Sequence, residues 1–362
     1  MRTNYTIIAV LLLLVLFTEA KTIKVPQDFA KIQLAINASV NGDTVLVAEG
    51  TYKENLVITK KITLASQFYL DKDTSHISKT IIDGSSATNA DSASVVTIDG
   101  ATDTTTVIMG FTIKGGKGNL RATTDNPPLV YRVGLGIDIA GGGATICKNL
   151  ITSNNVSTVI RLSAVVNIWD LADANGISYV IVEDNTISDN VLNGAPTVEG
   201  GALAIGHSCR IIRNRILRNS IIGTTGGYGA AAQIRNGTIT FNGNLISNNY
   251  ASHWGGAIEA NQYGTLVPTI TLVNNIFANN SAGTQGGALW ISGTPSTMIS
   301  INNTFVGNTS PNGNAVYMVS GSIKALNTIL WNPGGTEVVR ASGSIAASYS
   351  DIRGGYAGAG NI

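Results

Sequence analysis

The chain has 362 residues, of which 12% are charged and 6% are aromatic, and its formal net charge is +1. Binding of nucleic acid needs clustered Lys and Arg, so this composition argues against a nucleic-acid partner. No set of Cys and His residues has the spacing of a metal site. The sequence therefore predicts no metal, and it leaves any cofactor unknown.

The first twenty residues, MRTNYTIIAVLLLLVLFTEA, combine one Arg, an apolar run from Ile7 to Phe17 and a small residue at the end, Ala20. This pattern predicts a secretory signal that is cleaved before Lys21. An apolar run of this length is too short for a bilayer span. We therefore expect a secreted or cell-surface protein with a single domain over 21–362 that does not span a membrane after the signal is removed.

One helix is predicted near the start of this domain, from about Gln27 to Ala38. Phe29, Ile32 and Ile36 share one face of it. Short strand-like segments follow at 45–47, 56–58 and 62–64. The helix is expected to cover the open end of the first coil of a repeat structure, as terminal caps of solenoids do.

The rest of the chain repeats the phrase Asn-x-(Ile/Phe)-x-x-Asn. Successive copies start 36, 29, 30, 31, 28 and 24 residues apart. The third position is always large and apolar, from Ile151 in the first copy to Ile329 in the last. The copies begin at Asn149, Asn185, Asn214, Asn244, Asn275, Asn303 and Asn327.

A second phrase lies between these copies and consists of a glycine pair followed by a short alternating strand. Its copies are GLGIDI from Gly134, GGALAI from Gly200, GYGAAA from Gly227, GGAIEA from Gly255, GGALWI from Gly286 and GNAVYM from Gly313. Glycine suits a tight turn in which φ is positive and a Cβ would clash.

Repeats of this length, with short strands and no helical period, predict an all-β fold, the right-handed parallel β-helix. Equivalent residues of adjacent coils then lie about 4.8 Å apart. An Asn amide both donates and accepts, so stacked asparagines form a ladder of hydrogen bonds inside each turn.

The phrase NGDTVLVAEGTYKENL from Asn41, with the coils after it, resembles secreted right-handed parallel β-helix proteins of the pectin lyase-like group. GGAI from Gly255, FANN from Phe277 and FVGN from Phe305 resemble the repeats of polymorphic outer-membrane adhesins. These resemblances imply a protein that binds or processes polysaccharide or a cell-surface glycan. The alternative that they imply is a noncatalytic adhesin or scaffold, because one fold carries many functions.

Strand alternation predicts which side chains of the glycine-pair strands point outward. In GGAIEA, Ile258 and Ala260 are expected to face the core and Glu259 the solvent. The predicted outward column contains Asp138, Ala204, Ala231, Glu259, Trp290 and Tyr317. The neighbouring column contains Gln233, Asn261 and Ser292, with Arg235 just beyond and His253 and Trp254 in the entering turn.

In catalytic proteins of this fold, the corresponding face forms the polysaccharide groove. The resemblance therefore implies substrate contacts from Trp254, Trp290, Tyr317, Gln233 and Asn261. An equally open interpretation is that the aromatic residues only pack on one another.

Three residues are the catalytic candidates: His253, Glu259 and Arg235. A polyuronate lyase needs a base, for which His253 or His207 is the candidate, and a cation such as Arg235 to neutralise the uronate carboxylate. A hydrolase needs two carboxyl groups about 5 to 9.5 Å apart. Asp138 lies about four coils from Glu259 and is too far away, whereas a loop acid such as Glu199, Asp170 or Asp173 could supply the partner. The sequence favours the lyase over the hydrolase and leaves catalysis open.

Two further expectations concern the cysteines and the end of the chain. Cys147 and Cys209 lie two coils apart, about 9.6 Å, which exceeds the range of a disulfide, so free thiols are predicted. The final segment, SDIRGGYAGAGNI, has no evident helix or loop to cover the last coil. This predicts a truncated chain or an end that stacks on another chain.

Overall fold

The computed structural model describes residues 19–362 except 101, 125, 170–176, 263–266 and 294–296. The predicted secretory signal, apart from its last two residues, lies outside the described residues. So do Asp170 and Asp173. The described chain is a stack of coils in which strands of successive turns pair in parallel, which confirms the predicted parallel β-helix.

Among the described residues, three coils, which run from Gly142 to Ile234, pass through all five sheets of the structure. Along such a coil the chain meets the sheets in the order 1, 2, 5, 4 and 3, and the other described coils lack a strand in sheet 4, in sheet 5 or in both. The strands of sheet 1 are Thr22–Val25, Thr44–Val47, Thr63–Ser66, Val107–Met109, Gly142–Cys147, Ile177–Glu183, Cys209–Ile212, Thr238–Asn242, Thr269–Val273, Thr297–Ile301, Ser322–Leu326 and Ser344–Ser348. The strands of sheet 2 are Gly50–Tyr52, Thr80–Asp83, Thr112–Lys114, Leu150–Thr152, Thr186–Ser188, Arg215–Leu217, Leu245–Ser247, Ile276–Ala278, Thr304–Val306, Ile329–Trp331 and Asp351–Ile352.

The remaining three sheets complete the coil. The strands of sheet 3 are Leu56–Ile58, Val96–Ile98, Ile137–Ile139, Val166–Ile168, Leu203–Ile205, Ala232–Ile234, Ile258–Asn261, Leu289–Ser292, Val316–Met318 and Val338–Arg340. The strands of sheet 4 are Ser92–Ala93, Gly118–Ala122, Val130–Val133, Arg161–Ser163, Thr197–Glu199 and Gly226–Tyr228. The strands of sheet 5 are Val156–Ser157, Val191–Asn193, Ser220–Ile222, Tyr250–Ala251 and Ser281–Ala282.

Sheet 4 contains an antiparallel hairpin that the sequence did not predict. Gly118–Ala122 pairs antiparallel with Val130–Val133. Its second strand then pairs in parallel with Arg161–Ser163 of the next coil. The hairpin is thereby built into the stack beside Asp138.

Two asparagine ladders run along the turns on either side of sheet 2. In each ladder the side-chain amide donates to the amide oxygen of the next coil at about 3 Å and also to a backbone carbonyl. The first ladder contains Asn149, Asn185, Asn214, Asn244, Asn275 and Asn303. The second contains Asn154, Asn190, Asn219, Asn249, Asn280, Asn308 and Asn332. The predicted ladder is thus confirmed for the first six copies.

The last copy departs from the prediction by one residue. Thr328, not Asn327, is buried beneath Asn303, and Leu330 pairs with Phe305. Ile329, which the repeat predicts as a core residue, is 41% exposed. The shorter final repeat causes this shift, because the chain reaches the second ladder at Asn332 with one residue fewer.

The glycine pairs make the turn between sheets 4 and 3. The first glycine has positive φ, for example +61° at Gly255 and +67° at Gly286. A Cβ on the second glycine, Gly256, would overlap the carbonyl oxygen of Gly287 in the next coil. Both positions therefore need glycine for the reasons that the sequence suggested.

The predicted N-terminal helix is present but begins later, at Ile32, and ends at Ala38. Ile32, Ala35 and Ile36 are buried against the first coils, and the Glu54 carboxylate accepts hydrogen bonds from the amides of Ile32 and Gln33. Other short helices are Phe68–Asp71, Ser75–Lys79 and the 3₁₀ turn Gly84–Ser86. Among the described residues, no helix has the length and apolarity needed to cross a bilayer.

The tail covers the last coil to a greater extent than the sequence suggested. The Ile362 amide donates to the Ser350 carbonyl, and the Ile352 amide donates to the Ile362 carbonyl. The Asn361 side chain donates to the carbonyl oxygen of Ala347. Tyr356 packs against the end of the core. These contacts cover part of the last coil, and truncation of the chain or stacking of its end on another chain stays a prediction.

Both cysteines are free and buried, as predicted. Burial raises the pKa of Cys147 to about 12 and also raises that of Cys209. We expect neither thiol to react with iodoacetamide at pH 8 in the native protein, whereas both should react in urea. Mass spectrometry after each treatment measures this, and one bridged pair or rapid native alkylation would contradict it.

Candidate active site

The outward faces of sheets 3 and 4 meet across the glycine turns at a corner, here called the corner groove, in which most of the side chains are buried. Sheet 4 and its continuation contribute Ser163, Glu199, Tyr228, Trp254 and Gln285 from successive coils. Sheet 3 contributes Asp138, Asn167, Ala204, Gln233, Glu259, Trp290 and Tyr317. The register confirms the predicted order from Glu259 to Tyr317. It places Gln233, rather than Ala231, under Glu259.

A carboxylate–arginine cluster of Glu199, Gln233, Arg235 and Glu259 lies in the middle of this groove. Arg235 Nη1 lies 3.1 Å from Glu259 Oε1, and its Nη2 lies 3.7 Å from Glu199 Oε2. With the Gln233 amide turned so that its nitrogen and oxygen face complementary partners, the nitrogen donates to Glu199 Oε2 at 3.1 Å and the oxygen accepts from Arg235 Nη2 at 2.7 Å. The hydroxyl of Tyr131, on the hairpin, donates to Glu199 Oε1 at 3.4 Å.

Glu259 points outward from its strand as predicted, but it is 1% exposed rather than solvated. The side chains of both sheets fill the corner, so a side chain that points outward from its strand there is not exposed to solvent. Burial, with a further contribution from the Glu199 charge, raises the pKa of Glu259 to about 7, and Arg235 opposes this rise. Burial disfavours the charge of Arg235, yet Glu259 and Glu199 outweigh that effect and its pKa is raised.

A second buried cluster surrounds Asp138 farther along the groove. The Asp138 carboxylate accepts hydrogen bonds from Asn119, Arg121 and Asn167 at 2.8 to 2.9 Å. The first two donors come from the hairpin, which therefore forms one wall here. Register places Asp138 four coils from Glu259, as predicted, so the two do not form a carboxyl pair.

Three aromatic rings form a stack at the other end of the cluster. Trp254 lies parallel to Trp290, with ring centroids 4.6 Å apart, and Tyr228 lies 4.7 Å from Trp254. Trp290 is 4% exposed and its Nε1 donates to Gln285 Oε1 at 2.9 Å. The expectation that Trp290 is an exposed sugar platform is therefore wrong, because Trp254 and Gln285 cover it. Tyr228, Trp254 and Tyr317 keep half-exposed faces.

The two remaining predicted residues lie at the edges of the groove. His253 is half-buried; its Nδ1 lies 3.1 Å from Ser252 Oγ, and its ring meets Tyr228 edge-on. Asn261 is half-exposed and pairs in register with Ser292, as predicted. Neither residue has a hydrogen bond to the carboxylate–arginine cluster among those described.

From the sequence, Glu199 was only one of several acidic loop residues that could be the carboxyl partner of Glu259. A signal for its position was available, because the residue just before each glycine pair occupies one column. Glu199, Trp254 and Gln285 all hold this position, which Tyr228 fills in the coil between. The sequence could not show that the side chains of this column pack against those of the sheet 3 column.

No group of three or more His, Cys, Asp and Glu residues in the described part of the chain is arranged to hold a metal ion. Comparison with protein-family models and with curated proteins finds no match to this chain. The resemblances noted in the sequence are therefore supported only at the level of the parallel β-helix architecture.

Proposed function

We propose that this chain is exported to the cell surface or beyond and binds polysaccharide in the corner groove. One observation carries this proposal: two outward columns converge and bring half-exposed rings next to densely hydrogen-bonded polar groups. Tyr228, Trp254 and Tyr317 offer faces for sugar rings, while polar side chains between them can orient hydroxyl groups. The N-terminal sequence pattern supports export.

An acidic sugar fits one wall of this groove. Arg161 is half-buried on sheet 4, lies over the Tyr131 ring and donates to Thr197 at 3.0 Å. Among the described residues, no carboxylate lies within 4.0 Å of its guanidinium group. A uronate carboxylate bound at this wall would pair with the Arg161 guanidinium group.

The geometry argues against the lyase roles of His253 and Arg235. A lyase needs a cation that is available to the substrate carboxylate, whereas Arg235 is already paired with Glu199 and Glu259. His253 bonds to Ser252 at the edge of the groove instead of facing that cation. We therefore propose binding by the groove without these two roles.

The test of binding is a double change, Tyr228→Ala with Tyr317→Ala. We expect retention on immobilised polygalacturonate or alginate to weaken about thirtyfold, because each of the two lost stacking contacts is worth roughly 1 kcal/mol. The melting temperature should change little, since both side chains are half-exposed.

Tyr250→Ala provides the control, because this exposed tyrosine lies on sheet 5. It should leave retention unchanged. If the wild-type protein is retained on none of these polymers, or if the groove variant is retained as well as the wild type, the binding proposal is wrong. The close packing of Trp254 on Trp290 would then favour a noncatalytic scaffold.

A further inference from the structure

We propose that two copies of this chain associate face to face through the outward surface of sheet 2, related by a two-fold axis. Sheets 1 and 5 lie between sheet 2 and the sheets of the corner groove along the coil, so this surface is separate from the groove. The surface is here called the apolar strip. It consists of the outward side chains of the strands Leu245–Ser247, Ile276–Ala278, Thr304–Val306 and Ile329–Trp331.

The apolar strip exposes several large side chains to solvent. Ile276, Val306, Ile329 and Trp331 come from three successive coils, and each is between 39% and 53% exposed. An uninterrupted apolar surface of this kind is typical of an interaction site. Register arranges the strip in two columns, the first with Leu245, Ile276, Thr304 and Ile329, and the second with Ser247, Ala278, Val306 and Trp331.

A charge of each sign stands at the two ends of the first column. Arg215 precedes Leu245 in the column, and Asp351 follows Ile329. Arg215 is exposed and Asp351 is half-exposed, and among the described residues neither has an oppositely charged group within 4.0 Å. The two residues are five coils apart, about 24 Å. The strip is thus apolar in its middle, positive at one end and negative at the other.

The charged neighbours of these two residues already have partners. Arg213 and Arg218, in the turns on either side of the Arg215 strand, are each paired with an aspartate at 2.7 Å. Arg353, two residues after Asp351, donates to a backbone carbonyl oxygen. Arg215 and Asp351 therefore define the charge pattern of the strip.

This charge pattern is complementary to itself. A two-fold axis parallel to the strands, midway between Arg215 and Asp351, reverses the direction of the stack and lays each column over the same column of the second copy. Arg215 of one copy then lies opposite Asp351 of the second copy, and the same pair recurs at the other end. A copy in the same direction would bring like charges to the same end, so the charges favour the antiparallel arrangement.

The same arrangement matches the sizes of the facing side chains. In the first column, Leu245 lies opposite Ile329 of the second copy. In the second column, Ser247 lies opposite Trp331 of the second copy, so a small side chain faces the largest one. Alternation of large and small side chains is what allows two sheet faces to pack closely at about 10 Å.

The area of the strip sets the expected strength of association. With its flanking turns, the strip exposes on the order of 500 Å² in each copy, near the size of the largest apolar patch on a typical monomer. Two copies then bury about 1,000 Å² in total, the lower end for specific interfaces. We therefore expect a dimer that dissociates at micromolar concentration, not a permanent one.

The first experiment measures the mass of the mature protein by sedimentation between about 1 and 200 µM. We expect a reversible equilibrium between monomer and dimer. Ile329→Lys should raise the dissociation constant about 100-fold, because it puts a like charge from each copy into the apolar middle of the interface. Leu34→Lys is the matched control, since Leu34 is similarly exposed but lies on the N-terminal helix. It should leave the constant unchanged, and both variants should melt near the wild-type temperature.

Charge reversal tests the antiparallel arrangement. Arg215→Glu and Asp351→Lys should each raise the dissociation constant about tenfold, because each change sets two like-charged pairs opposite each other. The double variant should return to within about threefold of the wild-type constant, since both pairs are restored with their signs exchanged. An interface that depends on apolar contact alone would show no such recovery.

A wild-type protein that stays monomeric over the whole series would overturn the proposal, and so would a dimer that Ile329→Lys leaves intact. Failure of the double variant to recover would overturn the antiparallel arrangement. A monomer that binds phosphatidylcholine vesicles, and loses that binding in Ile329→Lys, would assign the strip to a lipid surface instead of a second copy.

Discussion

Replacing Asn219 by Ala should lower the free energy of unfolding by about 3 kcal/mol. The Asn219 amide donates to the Ile187 carbonyl at 2.9 Å and to Asn249 Oδ1 at 3.1 Å, and its oxygen accepts from the Asn190 amide groups. An alanine leaves the Ile187 carbonyl and the Asn190 backbone amide buried without these partners. Each such group costs about 1–3 kcal/mol.

Asn242→Ala is the matched control, because this half-exposed asparagine lies on a sheet 1 strand outside both ladders. Its expected effect is within about 0.5 kcal/mol. Urea and thermal unfolding followed by circular dichroism compare the two variants. Equal unfolding curves for Asn219→Ala and the wild type would show that the ladder adds no stability.

The ladder is the feature that the sequence predicted best, and the reason is physical. A stacked amide must recur at the same position in every coil, so the repeat is directly visible in the amino-acid sequence. The buried third position follows the same rule from Ile151 to Phe305. At Ile329 the rule fails, because the shorter repeat moves Leu330 into the core and the sequence offers no local sign of that shift.

The candidate site was only partly predictable. Strand alternation correctly assigned Glu259, Trp290 and Tyr317 to one column. Alternation says which side of a strand a residue occupies, but it does not say what covers that side. Burial of Glu259 and its link through Arg235 to Glu199 depend on the angle between sheets 3 and 4, which the positive-φ glycines set.

Substitutions of Trp290 distinguish a role of this ring in packing from a role in ligand binding. We expect Trp290→Ala to lower the free energy of unfolding by about 3–5 kcal/mol, since the change removes a buried ring from a close-packed stack. It also leaves Gln285 Oε1 without the indole donor. Tyr317→Ala, one coil farther on, should cost about 1 kcal/mol or less because Tyr317 is half-exposed.

Trp290→Phe completes the comparison, because it keeps an aromatic ring against Trp254 while it removes the hydrogen bond to Gln285 and part of the indole volume. Its expected cost is about 1–2 kcal/mol, between the wild type and the alanine variant. Melting temperature and polysaccharide retention are measured together for all three variants. If Trp290 packs as described, Trp290→Ala loses stability while its folded fraction is still retained, whereas Tyr317→Ala loses retention. An unchanged melting temperature with lost retention in Trp290→Ala would instead make this ring a direct sugar contact.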